Sequence, residues 1–559
     1  MPSIDVLKFG SSVLRSPEDL HQAVDEIYRC WRLGSKVLAV VSAFEGVTDR
    51  LLSEATALFG ANSPEALATY AATGEQKTAA LLVGALCQNG IPARHVDPRE
   101  IALMTVGPRL ESAPVSVDVE ALHALWIQFS VLVLPGFYGI GRDGGVSLFG
   151  RGGSDMSAIF LAATLDAPCR LVKDVLGVFD SDPAANPGAC RYETLSWARA
   201  IDVSGPLIQP KALRFAQSHA TPFEVGRANE EGGTIVGGPI DRCSGSRTAP
   251  APALRIALLG CGVVGRGVYE AIHRYPERFE VVHVIVREAH RHYDVSRAST
   301  DLNAALDPDI DVVIACIPGI PDCYAIIHAA LLAGKFVITS NKATIAARFD
   351  TLGCYAKGET RRLWYSAAVG GALPALETLA ALGSPIREIR AIINGTSGVV
   401  LDAWAQGKTR VEAVTLAQSQ GFAEANPHRD LSGLDSADKL ALLMEVAFGE
   451  RRHPREIPTQ GIDAILGNPA GYKLIARARR TSEGVVASVS PELPATESFL
   501  GQALGAENRL EIELASGEMV RLRGQGAGRW PTATSVIGDL HEAARAISAS
   551  RLRGHSQGL

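Results

Sequence analysis

The stretch LRIALLGCGVVGRG, residues 254–267, constrains this chain more than any other. A run with buried-strand character is followed at once by glycines and then by helix-forming residues. That order opens a βαβ unit, yet it stands in the middle of 559 residues. A chain this long exceeds what one core serves, so two to four domains are expected. Just before it lies CSGSRTAPAPA, residues 243–253, small and polar with no apolar period. That is linker composition, so a second fold is expected to begin at residue 254.

Both sides of this seam alternate strands with helices. In the first block, IDVLKFG, SKVLAVVSA, SVLVLPGFYGI at 130–140 and CRLVKDV at 169–175 are predicted strands. Helices are predicted over 17–33, 65–88 and 154–166. In the second block, VVHVIV at 281–286, DVVIACI at 311–317 and KFVITS at 335–340 repeat the rhythm. This predicts an α/β class with largely parallel sheets. Beyond residue 360 the pattern changes to REIRAIIN, then helices, then RLEIELASGEMVRLRGQGAG, which reads as paired strands. The expected domains are 1–238, a linker 239–253, a nucleotide domain 254–365, an α+β domain 366–525, and a segment 526–559 that returns to the nucleotide domain.

Apolar residues are 47% of the chain, charged residues 20%, and the net charge is −6. Nothing here suggests a nucleic-acid or membrane surface. The opening MPSIDVLKFG has no basic region followed by a long apolar run, so no signal peptide is expected, and no apolar run is long enough to span a bilayer. Nine scattered cysteines show no metal-site or disulfide spacing and are expected to be buried, reduced thiols. The chain is read as cytoplasmic.

Gly260, Gly262 and Gly265, with Val263 and Val264 opening the helix, form a dinucleotide turn. Without a Cβ, the backbone admits a pyrophosphate to the helix N-terminus. At the end of the second strand, Arg287 is placed to pair with a 2′-phosphate and Glu288 stands beside it, so NADP is favoured and NAD stays open. SNKA puts Asn341 and Lys342 at the end of another strand. NGTSG at 394–398 is a polar turn after a strand. Asp435 and Lys439 are four apart and share a helix face.

Together GCGVVGRG, TSNKA, AAVGGALP, INGTSG, GFAEANPHRDLSGLDSADKLALL and GQGAGRWPTATSVIGDL, in this order, resemble the homoserine dehydrogenase family. The resemblance implies reversible NAD(P)-dependent reduction of aspartate 4-semialdehyde to homoserine. It implies that Lys342 and Lys439 act at the reacting oxygen and that Asp435 holds the hydroxyl or orients Lys439. Glu424 would bind the substrate ammonium, with Asp430 in the same pocket. Lys342 and Asn341 would also face the cofactor, as would Gly526. It further implies a monovalent cation, Na+ or K+, on the carbonyls of Val369, Gly371 and Leu373, with Ser366 where the family often has glutamate. At least a homodimer is implied.

In the first block KFGSS, VVSAFEGVTD, TGEQKTAALL, GRGGSDMSAIFLAA, KDVLGVFDSDP and LIQPKAL resemble aspartokinase, within the amino-acid kinase fold. Lys8, Gly10, Ser11 and Ser12 would meet ATP phosphates, and Asp174 and Asp182 would lie on the nucleotide side. Thr48, Glu75, Arg151 and Asp155 would bind aspartate, with Asp155 on its amine. Such a site needs Mg²⁺ and no nucleophilic side chain. The family's usual KFGG continues with a hydroxyl pair. Here Ser11 replaces the second glycine, Val13 the last hydroxyl, and Lys173 the hydroxyl before the DV aspartate. Lys173 would grip ATP or obstruct the site.

The combined reading is a homoserine dehydrogenase fused to an aspartokinase-like domain. The alternative is a kinase-like module kept for assembly or sensing. Fusions of this kind usually carry paired ACT domains between the two enzymes. Residues 239–253 are too few to hold them, and the tail past the last helix is expected to hold none. A built-in threonine feedback site is therefore expected to be missing.

Overall fold

The computed structural model describes residues 3–556, except 61–62, 187, 206, 245–251, 290–294 and 296. The chain divides into two compact units near residue 250. The centre of the expected linker, residues 245–251, lies outside the described residues.

The first unit is built on a nine-stranded sheet. Its central strand is Ile4–Phe9, parallel to Lys36–Val41 on one side and to Cys169–Lys173 on the other. Val131–Pro135 and Ala93–His95 extend the sheet beyond Lys36–Val41. Phe223–Arg227 extends it beyond Cys169–Lys173. The central strands are buried on both faces, which is why they read as unbroken apolar runs. Early and late strands diverge from Ile4–Phe9, so a crevice forms at its carboxyl end. Lys8 lies there.

Two expectations are corrected. Residues 130–140 form two strands in different sheets, Val131–Pro135 and Tyr138–Ile140. The chain breaks at Gly136–Phe137. A Cβ on Gly136 would meet Ser154 Cβ and Val40 Cγ1 at 2.9 Å, and Phe137 adopts φ 72°. The linker also starts later than residue 239. Arg242–Cys243 pairs antiparallel with Tyr192–Leu195 and forms the sheet's edge. Two residues of apolar-poor strand leave no periodic signal to read.

The second unit contains a six-stranded parallel sheet. Across it run Ala298–Ser299, Phe279–Ile285, Leu254–Leu259, Val312–Ala315, Phe336–Thr339 and Leu363–Trp364. This is the doubly wound order of dinucleotide domains, with its switch point between Leu254–Leu259 and Val312–Ala315. Residues 386–525 add a five-stranded antiparallel sheet, in which Glu507–Leu514 and Met519–Gln525 pair as the sequence predicts. Helices Gly395–Ala405 and Leu434–Phe448 pack on this sheet. The last helix, Arg529–Ser556, returns to the nucleotide domain. Its Ala533, Val536, Ile537 and Leu540 share a core with Ile256, Leu258, Val268 and Ile272.

Among the described residues no helix is long and apolar enough to cross a membrane. All nine cysteines are free thiols, but Cys87, Cys243 and Cys354 are exposed, against the expectation of burial.

Candidate active sites

The second unit gathers its charged side chains around Asp435. Gly433, at φ 82°, caps helix Leu434–Phe448, whose first turns are buried. Asp435 and Lys439 share one face of it. Lys342 opens the helix that follows strand Phe336–Thr339. Lys342 Nζ lies 2.7 Å from Asp435 Oδ1, and Lys439 Nζ lies 2.8 Å from Oδ2. Lys439 also donates to the Ile393 carbonyl at 2.6 Å. Burial alone would raise the Asp435 carboxyl, but the two ammoniums outweigh it and hold it far below the usual range. The lysines shift in opposite directions. Asp435 raises Lys342, whereas burial lowers Lys439.

Asn394 completes the cluster, although the sequence marked only its turn. Its Nδ2 donates to Asp430 Oδ1 at 2.7 Å and to Asp435 Oδ2 at 2.8 Å, while its Oδ1 accepts from Ser397 N. An asparagine between a strand and a helix is the signal that locates it. Burial and the neighbouring Asp435 charge raise the Asp430 carboxyl. Glu424 is exposed, and among the described residues its carboxylate makes no bond to this cluster.

The three turn glycines serve three different ends. Gly260 has φ 87°, which makes the turn. A Cβ on Gly265 would lie 1.9 Å from the Gly260 carbonyl oxygen, so helix and strand need a glycine there. A Cβ on Gly262 would meet nothing within 4 Å. That open face fits an approaching pyrophosphate and has no packing explanation. Val263 is 71% exposed at the same turn, with Val264 half-buried behind it. Arg287 is exposed at the end of strand Phe279–Ile285 and has no partner among the described residues. Asn341 is not free to face a cofactor. Its Nδ2 donates to the carbonyls of Ile317 and Gly319, and its Oδ1 caps Thr344 N. Gly526 is buried, and a Cβ there would lie within 2 Å of Asn508 Nδ2. Close packing therefore requires a glycine here.

Hard cations suit backbone carbonyls. Of the proposed ligands, Val369 and Leu373 are buried and Gly371 sits at φ 61°. The Leu373 carbonyl accepts Ala375 N at 2.8 Å and keeps its second lone pair, while buried Ser366 offers a hydroxyl in place of a carboxylate. Among these proposed ligands no carboxylate adds charge, so they offer a cation neutral oxygens only.

The first unit holds two cavities that meet at Lys8. One, of about 530 Å³, is lined by Lys8, Thr48, Glu75, Arg151 and Asp155. The other, of about 570 Å³, is lined by Lys8, Gly10, Ser11, Ser12, Lys173, Asp174 and Asp182. Ser11 borders both. The sequence-predicted residues therefore sort into an acceptor side and a nucleotide side. A Cβ on Gly10 would lie 2.7 Å from Lys8 Nζ, so a side chain there would displace that ammonium. Asp174 and Asp182 are exposed, and Asp182 caps Ala184 N. Arg151 is exposed at the tip of a turn between Gly150 and Gly152, both at positive φ.

Asp155 departs from expectation. Its carboxylate is 2.6 Å from Lys8 Nζ and 3.3 Å from Lys173 Nζ, so it is not left for a substrate amine. Burial opposes its ionisation, but the two lysines hold it down to about 2. Burial lowers Lys8 to about 8, against the pull of Asp155. Glu75 keeps one carboxylate oxygen open. Its Oε1 accepts Ala43 N and Thr48 Oγ1, both at 3.2 Å, while buried Oε2 has no partner. Burial raises this carboxyl to about 7.

Known proteins agree with this division. The homoserine dehydrogenase family model matches residues 373–541, and the NAD-binding domain of the same family matches residues 260–366. The homoserine dehydrogenase of Corynebacterium glutamicum is 32% identical over 336 residues, covering 55% of this chain and 76% of that protein. This chain belongs to the homoserine dehydrogenase family. A homoserine dehydrogenase crystal structure from Thiobacillus denitrificans is similar with a TM-score of 0.50 and 28% identity, over 53% of this chain and 74% of that one. The amino acid kinase family model matches residues 4–226. The aspartokinase of Pseudomonas aeruginosa is 30% identical over 236 residues, which are 41% of this chain. The match spans 57% of that aspartokinase's length. The chain is thus an oxidoreductase of the homoserine dehydrogenase family that carries an amino acid kinase domain at its N-terminal end.

Proposed function

We propose that the second unit interconverts homoserine and aspartate 4-semialdehyde, with Lys439 as acid–base, and that NADP is the preferred cofactor through Arg287. The observation that carries this is the Asp435 carboxylate set between two lysines of opposite shift. Groups whose environments push their pKa values apart divide the labour of proton transfer and charge stabilisation. Lys439, eased toward deprotonation by burial, takes the hydroxyl proton of homoserine or returns it to the aldehyde oxygen. Two of its three N–H groups are held by Asp435 and Ile393, which leaves one for substrate. Lys342 keeps its charge and stabilises the developing alkoxide. Asn394 fixes the carboxylates of Asp430 and Asp435. When bound, the nicotinamide supplies or accepts the hydride, and the open face at Gly262 admits the pyrophosphate.

The first unit phosphorylates aspartate with MgATP in this reading. The two cavities that share Lys8 support it, because donor and acceptor must meet at one phosphoryl group. Glu75 takes the aspartate ammonium and Arg151 its carboxylate. The kinase match ends at residue 226 and the NAD-binding match starts at 260. Domains under roughly 40 residues need disulfides, a metal or a partner to fold. The fusion accordingly lacks ACT domains between its enzymes and lacks threonine inhibition through them. It forms at least a dimer. The kinase-like module as a mere scaffold is favoured by one observation, the engagement of Asp155 by two lysines.

A hydroxamate assay for aspartyl phosphate, beside a homoserine oxidation assay, tests both halves in the whole chain. Aspartate-dependent hydroxamate above background is expected. Its absence from a chain that oxidises homoserine would establish the scaffold reading.

A further inference from the structure

Two buried lysines share one carboxylate where the two cavities of the first unit meet. Strands Ile4–Phe9 and Cys169–Lys173 are parallel neighbours, with Phe9 opposite Val172. Lys8 and Lys173 therefore reach the same sheet edge. Lys8 lines both cavities, Lys173 lines only the nucleotide side and Asp155 only the acceptor side. Lys211, in the LIQPKAL motif, is committed elsewhere. Its Nζ pairs with Glu111 and donates to the Phe149 carbonyl at 2.6 Å.

We propose that Lys173 is a second phosphate-binding cation that holds the terminal phosphates of the donor nucleotide from its own side of Lys8, with Asp155 as the residue that positions both. This rests on the kinase reading above. In the transfer, an acceptor carboxylate oxygen forms a bond to the terminal phosphorus. The bond from that phosphorus to the bridging oxygen breaks, and its electron pair stays on the nucleoside diphosphate. No proton moves. Negative charge thus collects on the nucleotide side, where Lys173 stands and where Lys8 alone would have to serve both partners. Asp155 between the two ammoniums relieves their repulsion and leaves the trio with net positive charge. A hydroxyl at position 173 would supply no charge there.

The test uses the full-length chain with Lys173→Met and Lys173→Arg. Calorimetry measures ATP and ADP affinity at high and low Mg²⁺, and the hydroxamate assay measures turnover. Lys173→Met is expected to weaken ATP binding about tenfold or more, most at low Mg²⁺, and to lower kcat by at least as much. Lys173→Arg keeps the charge and is expected to restore most of the ATP affinity. Circular dichroism melts show whether each variant is folded, and the arginine variant carries the test if the methionine variant is not. Unchanged or tighter ATP binding in Lys173→Met would overturn the proposal, the latter showing an obstructing lysine. Wild-type chain that binds ATP through Lys173 but makes no hydroxamate would overturn aspartate phosphorylation and keep the assignment. Hydroxamate turnover in the wild-type chain that is unchanged in Lys173→Met does the reverse. A chain that binds no ATP overturns both.

Discussion

Asp435→Asn probes the dehydrogenase centre while keeping the shape of the side chain. The carboxylate is 4% exposed and lies 2.7 and 2.8 Å from the two lysine nitrogens. Removing one member of a buried ion pair costs about 3–5 kcal/mol, because its partner is left charged and poorly solvated. The two lysines answer differently. Lys342 is 37% exposed, so water screens its share and little of the cost arises there. Lys439 is 9% exposed and already shifted down by burial. Without the carboxylate it sheds its proton more readily, which caps the loss near the lower end, about 3 kcal/mol. The chemical step should suffer more, because Lys439 is no longer oriented and its driving force for proton transfer has changed. A fall in kcat of about 10²–10⁴ is expected. Homoserine oxidation followed by nicotinamide absorbance gives kcat, and urea unfolding gives stability. Homoserine oxidation needs Lys439 unprotonated, so its rate rises with pH through the Lys439 pKa. In Asp435→Asn that rise should move to lower pH. A variant with near wild-type kcat and an unmoved pH profile would refute the assignment of Lys439.

The kinase half should show a narrow bell in kcat/KM. Glu75 must be charged to hold an ammonium and is lost below about 7, while Lys8 must be charged to hold phosphate and is lost above about 8. The doubly competent fraction is then about 0.6 midway and about 0.1 at one unit beyond either pKa. Glu75→Gln should remove the acid limb along with most of the activity, and an acid limb that persists would count against Glu75. Gly262→Val should abolish cofactor binding, seen by fluorescence titration, with an unchanged melting temperature. Gly265→Ala should instead destabilise by about 1–3 kcal/mol or fail to fold, since its Cβ meets backbone. Arg287→Ala should raise the KM for NADP about tenfold and leave that for NAD unchanged, and equal effects on both would remove the 2′-phosphate role.

The sequence was most legible where a residue's task is imposed by the backbone. Gly260, Gly262 and Gly265 declare a strand, a turn and a helix together, and the backbone explains two of them, by the positive φ of Gly260 and the close packing of Gly265. Asp435 and Lys439 declare a shared face. What stayed hidden were contacts made across the sheet. Nothing in the neighbours of Lys173 says that its amine meets Asp155, because strand register decides that. Likewise nothing near Asn341 or Gly526 in sequence announces their long-range neighbours, the Ile317 and Gly319 carbonyls for the one and the Asn508 side chain for the other. The break at Gly136 is also tertiary, set by Ser154 and Val40 pressing on one spot. An apolar run carries no mark of where a neighbouring helix will crowd it.

The last helix has a consequence for how the chain is made. Strand Leu254–Leu259 and helix Val263–Ile272 leave the ribosome early in the second unit, but Ala533, Val536 and Leu540, which cover them, come more than two hundred and fifty residues later. Domains generally fold as units during synthesis, N-terminal first. The kinase-like sheet, complete by Cys243, can close while translation continues. The nucleotide domain cannot, and its apolar face must wait for the whole antiparallel sheet to be threaded between its two parts. Nascent chains stalled before residue 529 should therefore hold a closed first unit beside a nucleotide domain that chaperones still recognise, and expression of 254–365 alone should yield aggregate.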